Sequence, residues 1–184
     1  ISMLNFNHFI NFNPDNGLLV LESGVLLKDI IETFLPKGWF PSVSPGTKFA
    51  TVGGMLAADV HGKNHHKEGS IRNFVDWIEL LDNNGNIVKC SSSHNKEIFN
   101  WTRGGMGLTG IILKAAIKLR KVETGWIKQK IRDRSNLRET MKVFDKYRDT
   151  TYSVAWIDCT KSIKNVGRSL IIIGEHAKKN LSLI

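Results

Sequence analysis

Apolar positions fall in short runs separated by strong turn signals. Met3, Phe6, Phe9, Ile10 and Phe12 alternate loosely and predict a strand over Ile1–Phe12. Asn13-Pro14-Asp15-Asn16-Gly17 is a turn, and Leu18–Glu22 a second strand that completes a hairpin. Leu27, Ile30, Ile31 and Phe34 share one helical face, and Pro36-Lys37-Gly38 stops that helix. Farther on, Asn73–Asp82 reads as a strand, Asn83–Asn86 as a hairpin turn and Ile87–Cys90 as the return strand. Glu97–Thr102 reads as a short helix. From Leu113 to Arg120 the apolar residues alternate, so a strand is expected there.

The pattern changes at Gly125. Trp126–Arg132 is strand-like, and Ser135 starts a helix with Leu137, Met141 and Phe144 on one face. Tyr152–Ile157 and Ser169–Ile173 are further strands. The β-α-β-β order from Gly125 fits the opening of an α+β domain.

One stretch stands apart from this core pattern. Pro45 to His66 packs four glycines, three histidines and two lysines into 22 residues. Thr51-Val52-Gly53-Gly54 runs into the small apolar segment Met55–Ala58, which reads as one or two helical turns capped by Thr51. The expectation is that the glycines leave the first backbone N–H groups open to an anion or a flat heteroatom ring. The plainer reading also stands, since a Gly-Gly pair is most often only a turn. His61, His65 and His66 lack the Cys, Asp or Glu that would complete a metal set, so no metal is expected.

Gly105-Met106-Gly107-Leu108-Thr109-Gly110 matches the G-x-G-x-x-G dinucleotide fingerprint letter for letter. That fingerprint requires a helix after it, whereas the period-two pattern here predicts a strand, so a Rossmann fold is rejected.

Pro45-Gly46-Thr47, Thr51-Val52-Gly53-Gly54 and Asp59-Val60-His61-Gly62-Lys63-Asn64-His65-His66 resemble the flavin-binding core of FAD-linked oxidases of the vanillyl-alcohol oxidase type, with a PCMH-type FAD-binding domain. The resemblance extends to Gly104–Ile112 and, weakly, to Thr151–Asp158. Within the family, the string from His61 to His66 is most similar to the branch that oxidises a polyprenyl-phosphate ribose at its 2′-carbon. The resemblance implies an α+β fold: an FAD-binding domain over 1–122, a mixed or antiparallel sheet with flanking helices, and the beginning of an α+β substrate domain over 123–184. It implies FAD as cofactor, lined by Gly46, Thr51, Val52, Gly53, Gly54, Ala58, Asp59, Val60, His61 and Ile112. His61 would sit by the isoalloxazine without a covalent link, and Lys63 would orient the substrate or stabilise charge on it. Trp156 matches the family's aromatic residue that reaches toward the substrate; a core tryptophan is the plainer alternative. His61 and Lys63 are thus the catalytic candidates. The family's diphosphate-binding loop belongs upstream of the first strand and its substrate-side lysine, asparagine and cysteine downstream, so the expectation is a fragment.

Composition changes this picture in two places. The chain is 184 residues long, with 41% apolar and 23% charged residues, which is globular. No apolar run reaches membrane-helix length, no signal segment opens the chain, and Cys90 and Cys159 lack metal spacing; a cytoplasmic protein is expected. The net charge of +9 is uneven: residues 1–113 hold 9 Lys+Arg against 10 Asp+Glu, and 114–184 hold 17 against 7. Such a basic half fits the phosphorylated, lipid-linked sugar that the resemblance implies, or peripheral contact with an anionic membrane surface; a simply solvated surface is an equal reading of it. Its aromatics are not interleaved as a nucleic-acid platform requires, so no nucleic acid is expected. Two alternatives to the sugar oxidase stay open: an aldonolactone oxidase of the same superfamily, and a non-catalytic domain presenting a basic anion-binding face.

Overall fold

The computed structural model describes residues 1–160 and 166–179. The backbone divides into two compact units, one of Ile1–Gly62 with Glu68–Val122, the other of Lys63–Lys67 with Glu123–Ile184.

The first unit is built on an antiparallel sheet. Its strands are β1 (Phe9–Asn13), β2 (Leu18–Glu22), β3 (Trp39–Pro41), β4 (Val75–Leu81), β5 (Ile87–Ser91) and β6 (Ile111–Lys121). Their order is β1-β2-β6-β4-β5, and β3 pairs with the far end of β6. β6 is long enough at 11 residues to pair with three other strands. Ala115 and Ala116 on it are fully buried, and small side chains there admit close packing from both faces. Helices α1 (Leu27–Phe34), α2 (Val52–Ala57) and α4 (Lys96–Thr102) flank the sheet, and the single turn α3 (His65–Glu68) precedes β4 in the chain. Leu27, Ile30 and Phe34 carry α1 into a continuous apolar core with Leu19, Leu21, Ile78, Leu80 and Phe99.

Most predicted elements are present, with four differences. The first strand begins at Phe9 rather than Ile1. Upstream, Phe6 donates its N–H to the Met3 carbonyl and its own carbonyl accepts the Gly24 N–H, at 2.9 and 2.8 Å, so Met3–Phe6 is a turn lying on Gly24. A side chain at Gly24 would stand 1.9 Å from the Met3 oxygen. β3 escapes the periodicity because three residues carry no pattern. It forms because Gly38, at φ +81°, turns the chain back and Val122 donates to its carbonyl.

The second unit is a three-stranded antiparallel sheet, β7 (Ile127–Arg134), β9 (Arg168–His176) and β8 (Tyr152–Asp158) in that order, with α5 (Leu137–Lys146) against it. The helix starts at Leu137 rather than Ser135, with Asn136 as cap: its side chain accepts the Glu139 N–H at 3.0 Å. The buried face also differs. Leu137 and Met141 are about half exposed, at 47% and 52%, whereas Thr140 and Val143 are buried; Val143 packs with Ile171 and Ile173, and Phe144, as predicted, lies against them. Thr140 can be buried because its hydroxyl bonds the Asn136 carbonyl and the Ser169 hydroxyl, which relieves its desolvation.

Candidate functional site

In the first unit a cavity of about 400 Å³ opens beside α2. It is lined by Ser23, Thr51, Gly53 and Gly54 from the end of β2 and from α2, by Met106, Gly107, Gly110 and Ile112 from the segment that leads into the strand β6, and by Ile1 and Met3. Thr51 caps α2 as predicted, its Oγ1 accepting the Gly54 N–H at 3.2 Å.

The open helix start that the glycines suggested is not formed. Val52 donates its N–H to the Val25 carbonyl at 2.9 Å and Gly53 to the Ser23 carbonyl at 2.7 Å. With Gly54 bonded to the cap, the first turn of α2 has no donor left for an anion. Gly53 is instead a packing glycine, since a Cβ there would lie 2.9 Å from the Ser23 Cβ. The cavity therefore suits the flat, largely apolar part of a ligand rather than a phosphate.

The segment that leads into β6 is backbone-rich for a different reason. Gly104, Met106, Gly107 and Gly110 all have positive φ, so the segment loops tightly between α4 and β6. Its ends are tied to α2 by the Gly104 N–H on the Leu56 carbonyl and the Met106 N–H on the Ala57 carbonyl, at 3.0 and 2.9 Å. The strand β6 then follows, which confirms that the glycine fingerprint does not open a Rossmann helix.

The remaining predicted residues are placed as follows. Thr51, Gly53, Gly54 and Ile112 line the cavity. Val52 is fully buried in the core, and Gly46 lies in an exposed turn with open space around it. Ala58 ends α2, its N–H on the Gly54 carbonyl. Asp59, at φ +45°, receives Arg72 Nε at 2.5 Å and the Arg72 N–H at 3.2 Å. Arg72 in turn donates to the Arg103 carbonyl at 2.6 Å, and Arg103 to the Arg72 carbonyl at 2.9 Å. Burial, and then the charge of Arg72, pushes the Arg103 guanidinium down from its ordinary value. This clamp joins the turn after α2 to the turn after α4. Val60 donates to the Met55 carbonyl, and His61 forms a β-bridge with Ser70.

Lys63 lies in the second unit with Asn64–Lys67. Its carbonyl accepts the Ser153 N–H at 2.9 Å; His66 Nε2 donates to the Thr150 carbonyl at 2.9 Å, and Lys67 Nζ to the Asp149 carbonyl at 2.9 Å. Trp156 is 73% exposed, so it is not a core residue. It stands beside Leu170 in the β8–β9 register, in an open groove that also contains the Arg168–Asp158 ion pair. Sequence reasoning did not single out Ser23 or Met3. A serine between a strand end and a glycine carries no motif.

A family model described as an FAD binding domain matches residues 1–91. Over 181 residues, 97% of this chain and 39% of the relative, the sequence is 35% identical to a decaprenylphosphoryl-beta-D-ribose oxidase of Mycolicibacterium smegmatis. The chain belongs to the FAD-linked oxidases. Its cofactor is FAD, held in a PCMH-type domain. The chain is also 31% identical over 124 residues to a D-lactate dehydrogenase of Anaerostipes hadrus, covering 65% of this chain and 26% of that one. An L-gulonolactone oxidase of Bos taurus is 28% identical over 118 residues, 64% of this chain and 27% of the relative. The chain thus spans about two fifths or less of the length of these relatives.

The cavity fits the cofactor on its own terms. It has side-chain-poor backbone on both sides, an apolar floor at Ile112, and a buried hydroxyl at Ser23 that no group of the protein satisfies. Three flanking apolar side chains, Trp101, Met106 and Leu108, are exposed, Leu108 at 92%. Such exposed apolar surface beside a concave site suits a large flat ligand.

Proposed function

We propose that this chain is the flavin-holding part of an oxidoreductase that oxidises a sugar CH–OH group, acting on a decaprenylphosphoryl-ribose or a closely similar lipid-linked sugar. The observation that carries this reading is the 35% identity across 97% of the chain, which extends over both units.

When bound, FAD supplies hydride acceptance at its N5 position, and the protein supplies orientation and electrostatics. Thr51, Gly53 and Gly54 on one side and Gly107 and Ile112 on the other hold the cofactor's flat portion and exclude water from it. His61, at the end of the turn that the Asp59–Arg72 pair fixes, would border the isoalloxazine without a covalent link. Lys63, with its carbonyl anchored on Ser153 and its side chain exposed, attracts the phosphorylated sugar; Trp156 offers it an apolar face. The surplus of 17 Lys+Arg over 7 Asp+Glu across residues 114–184 favours an anionic substrate and an anionic membrane surface that presents it.

The test is anaerobic addition of a polyprenyl-phosphate ribose to the FAD-loaded protein, followed by flavin absorbance. Bleaching with the ribose and none with an aldonolactone supports the proposal. Bleaching with the lactone alone would transfer it to the L-gulonolactone type.

A further inference from the structure

Ser23 stands where β2 ends, and its backbone is fully engaged. Its N–H donates to the Leu113 carbonyl at 2.9 Å, and its carbonyl accepts the Gly53 N–H at 2.7 Å. The side chain is not. Ser23 is 1% exposed, and its Oγ has no hydrogen-bond partner among the described residues. The nearby hydroxyls are already committed: Thr51 Oγ1 to the Gly54 N–H, and Thr102 Oγ1 to the Ile98 carbonyl and Thr109 Oγ1. Ser23 nevertheless lies in the cavity wall between β2 and α2, next to Gly53. A buried hydroxyl without a partner destabilises a fold, and alanine would fill the same space without that penalty.

We propose that the Ser23 hydroxyl is a cofactor-binding group, donating a hydrogen bond to an acceptor oxygen or nitrogen of the flavin nucleotide in this cavity. The proposal rests on the reading that the cavity takes FAD. An orphan hydroxyl beside an otherwise backbone-and-apolar wall gives that wall one directional contact, which fixes how a flat ligand lies in it.

The test compares wild type with Ser23→Ala in two measurements, FAD titration by flavin fluorescence and melting of the cofactor-free proteins. The affinity of the variant falls about threefold to tenfold, the range one neutral hydrogen bond supplies. Its cofactor-free form melts at or above the wild-type temperature. Titrations with FMN and riboflavin locate the acceptor: a deficit kept with riboflavin puts it on the ring system or its ribityl chain, and a deficit seen only with FAD puts it on the diphosphate or adenosine. Unchanged affinity, or a loss of affinity accompanied by a lower melting temperature without cofactor, overturns the proposal. Should wild type itself take up no FAD, the cavity reading fails and Ser23 falls with it; uptake by wild type and an equal variant removes Ser23 alone.

Discussion

Gly53 donates its N–H to the Ser23 carbonyl at 2.7 Å, and this bond draws the start of α2 onto the end of β2. The contact leaves no room for a side chain, because a Cβ on Gly53 would stand 2.9 Å from the Ser23 Cβ and 3.2 Å from its oxygen. Gly53→Ala is expected to lose about 1–3 kcal/mol of stability, the usual range for overpacking a close contact. Gly54→Ala is expected to stay within about 1 kcal/mol of wild type, since the contact it makes with Thr51 Oγ1 is offset by better helix propensity. Urea melts of the two variants check this order, and equal losses would contradict it.

The glycines of the false dinucleotide fingerprint separate in the same way. Gly110 has φ +137°, and a Cβ there would lie 2.3 Å from the Leu81 carbonyl oxygen. Gly110→Ala is therefore expected to cost about 3 kcal/mol or more, or to prevent folding. Gly107 has φ +82° but open space around it, so Gly107→Ala costs about 1–2 kcal/mol, from backbone strain alone. Thermal melts read both, and a Gly107 variant as unstable as the Gly110 variant would show that the loop, not the β4–β6 approach, sets the requirement.

These contrasts show what the sequence could and could not disclose. The alternation from Leu113 to Arg120 and the helical spacing from Leu27 to Phe34 were legible because one face of each is buried. The Thr51 cap was legible because cap chemistry is local. The engagement of the α2 N–H groups was not, because their acceptors, Val25 and Ser23, are nearly 30 residues away in sequence. Nor was the buried face of α5. Periodicity favours Leu137 and Met141 over Thr140, whose burial depends on a bond to Ser169 that only the tertiary structure supplies. Of the candidate site, the glycine and threonine backbone positions were visible in the motif; Ser23, outside any motif, was not.

The clamp of Asp59, Arg72 and Arg103 holds the turn that leads to His61. Asp59 keeps a positive φ that a non-glycine residue adopts only under restraint. Arg72→Ala removes the ion pair to Asp59 and the bond to the Arg103 carbonyl. Because Arg72 is partly exposed, the expected stability loss is small, about 1 kcal/mol. The effect on flavin affinity is expected to be larger than the stability loss alone would give. A titration and a urea melt on the same variant check this, and an unchanged affinity would mean that the turn keeps its shape without the clamp.

The pH dependence has a definite sign at Glu22. The His8 backbone N–H donates to Glu22 Oε2 at 3.0 Å and holds its carboxyl below the ordinary value of 4.5. A carboxyl lowered in the folded state stabilises the fold above its unfolded value, and this contribution is lost as pH falls through the folded value. Glu22→Gln is therefore expected to flatten the fall of melting temperature with pH below 4.5, while the wild type drops more steeply. Parallel curves for the two proteins would contradict it.

The proposed FAD site is the cavity between α2 and the Gly104–Gly110 loop. The most direct measurement is an FAD titration of the purified chain, read by flavin fluorescence and absorbance together with the melting temperature. Saturable binding, a yellow protein and a rise in melting temperature with cofactor concentration are the predicted result. A colourless protein whose melting temperature does not move with added FAD would contradict the account.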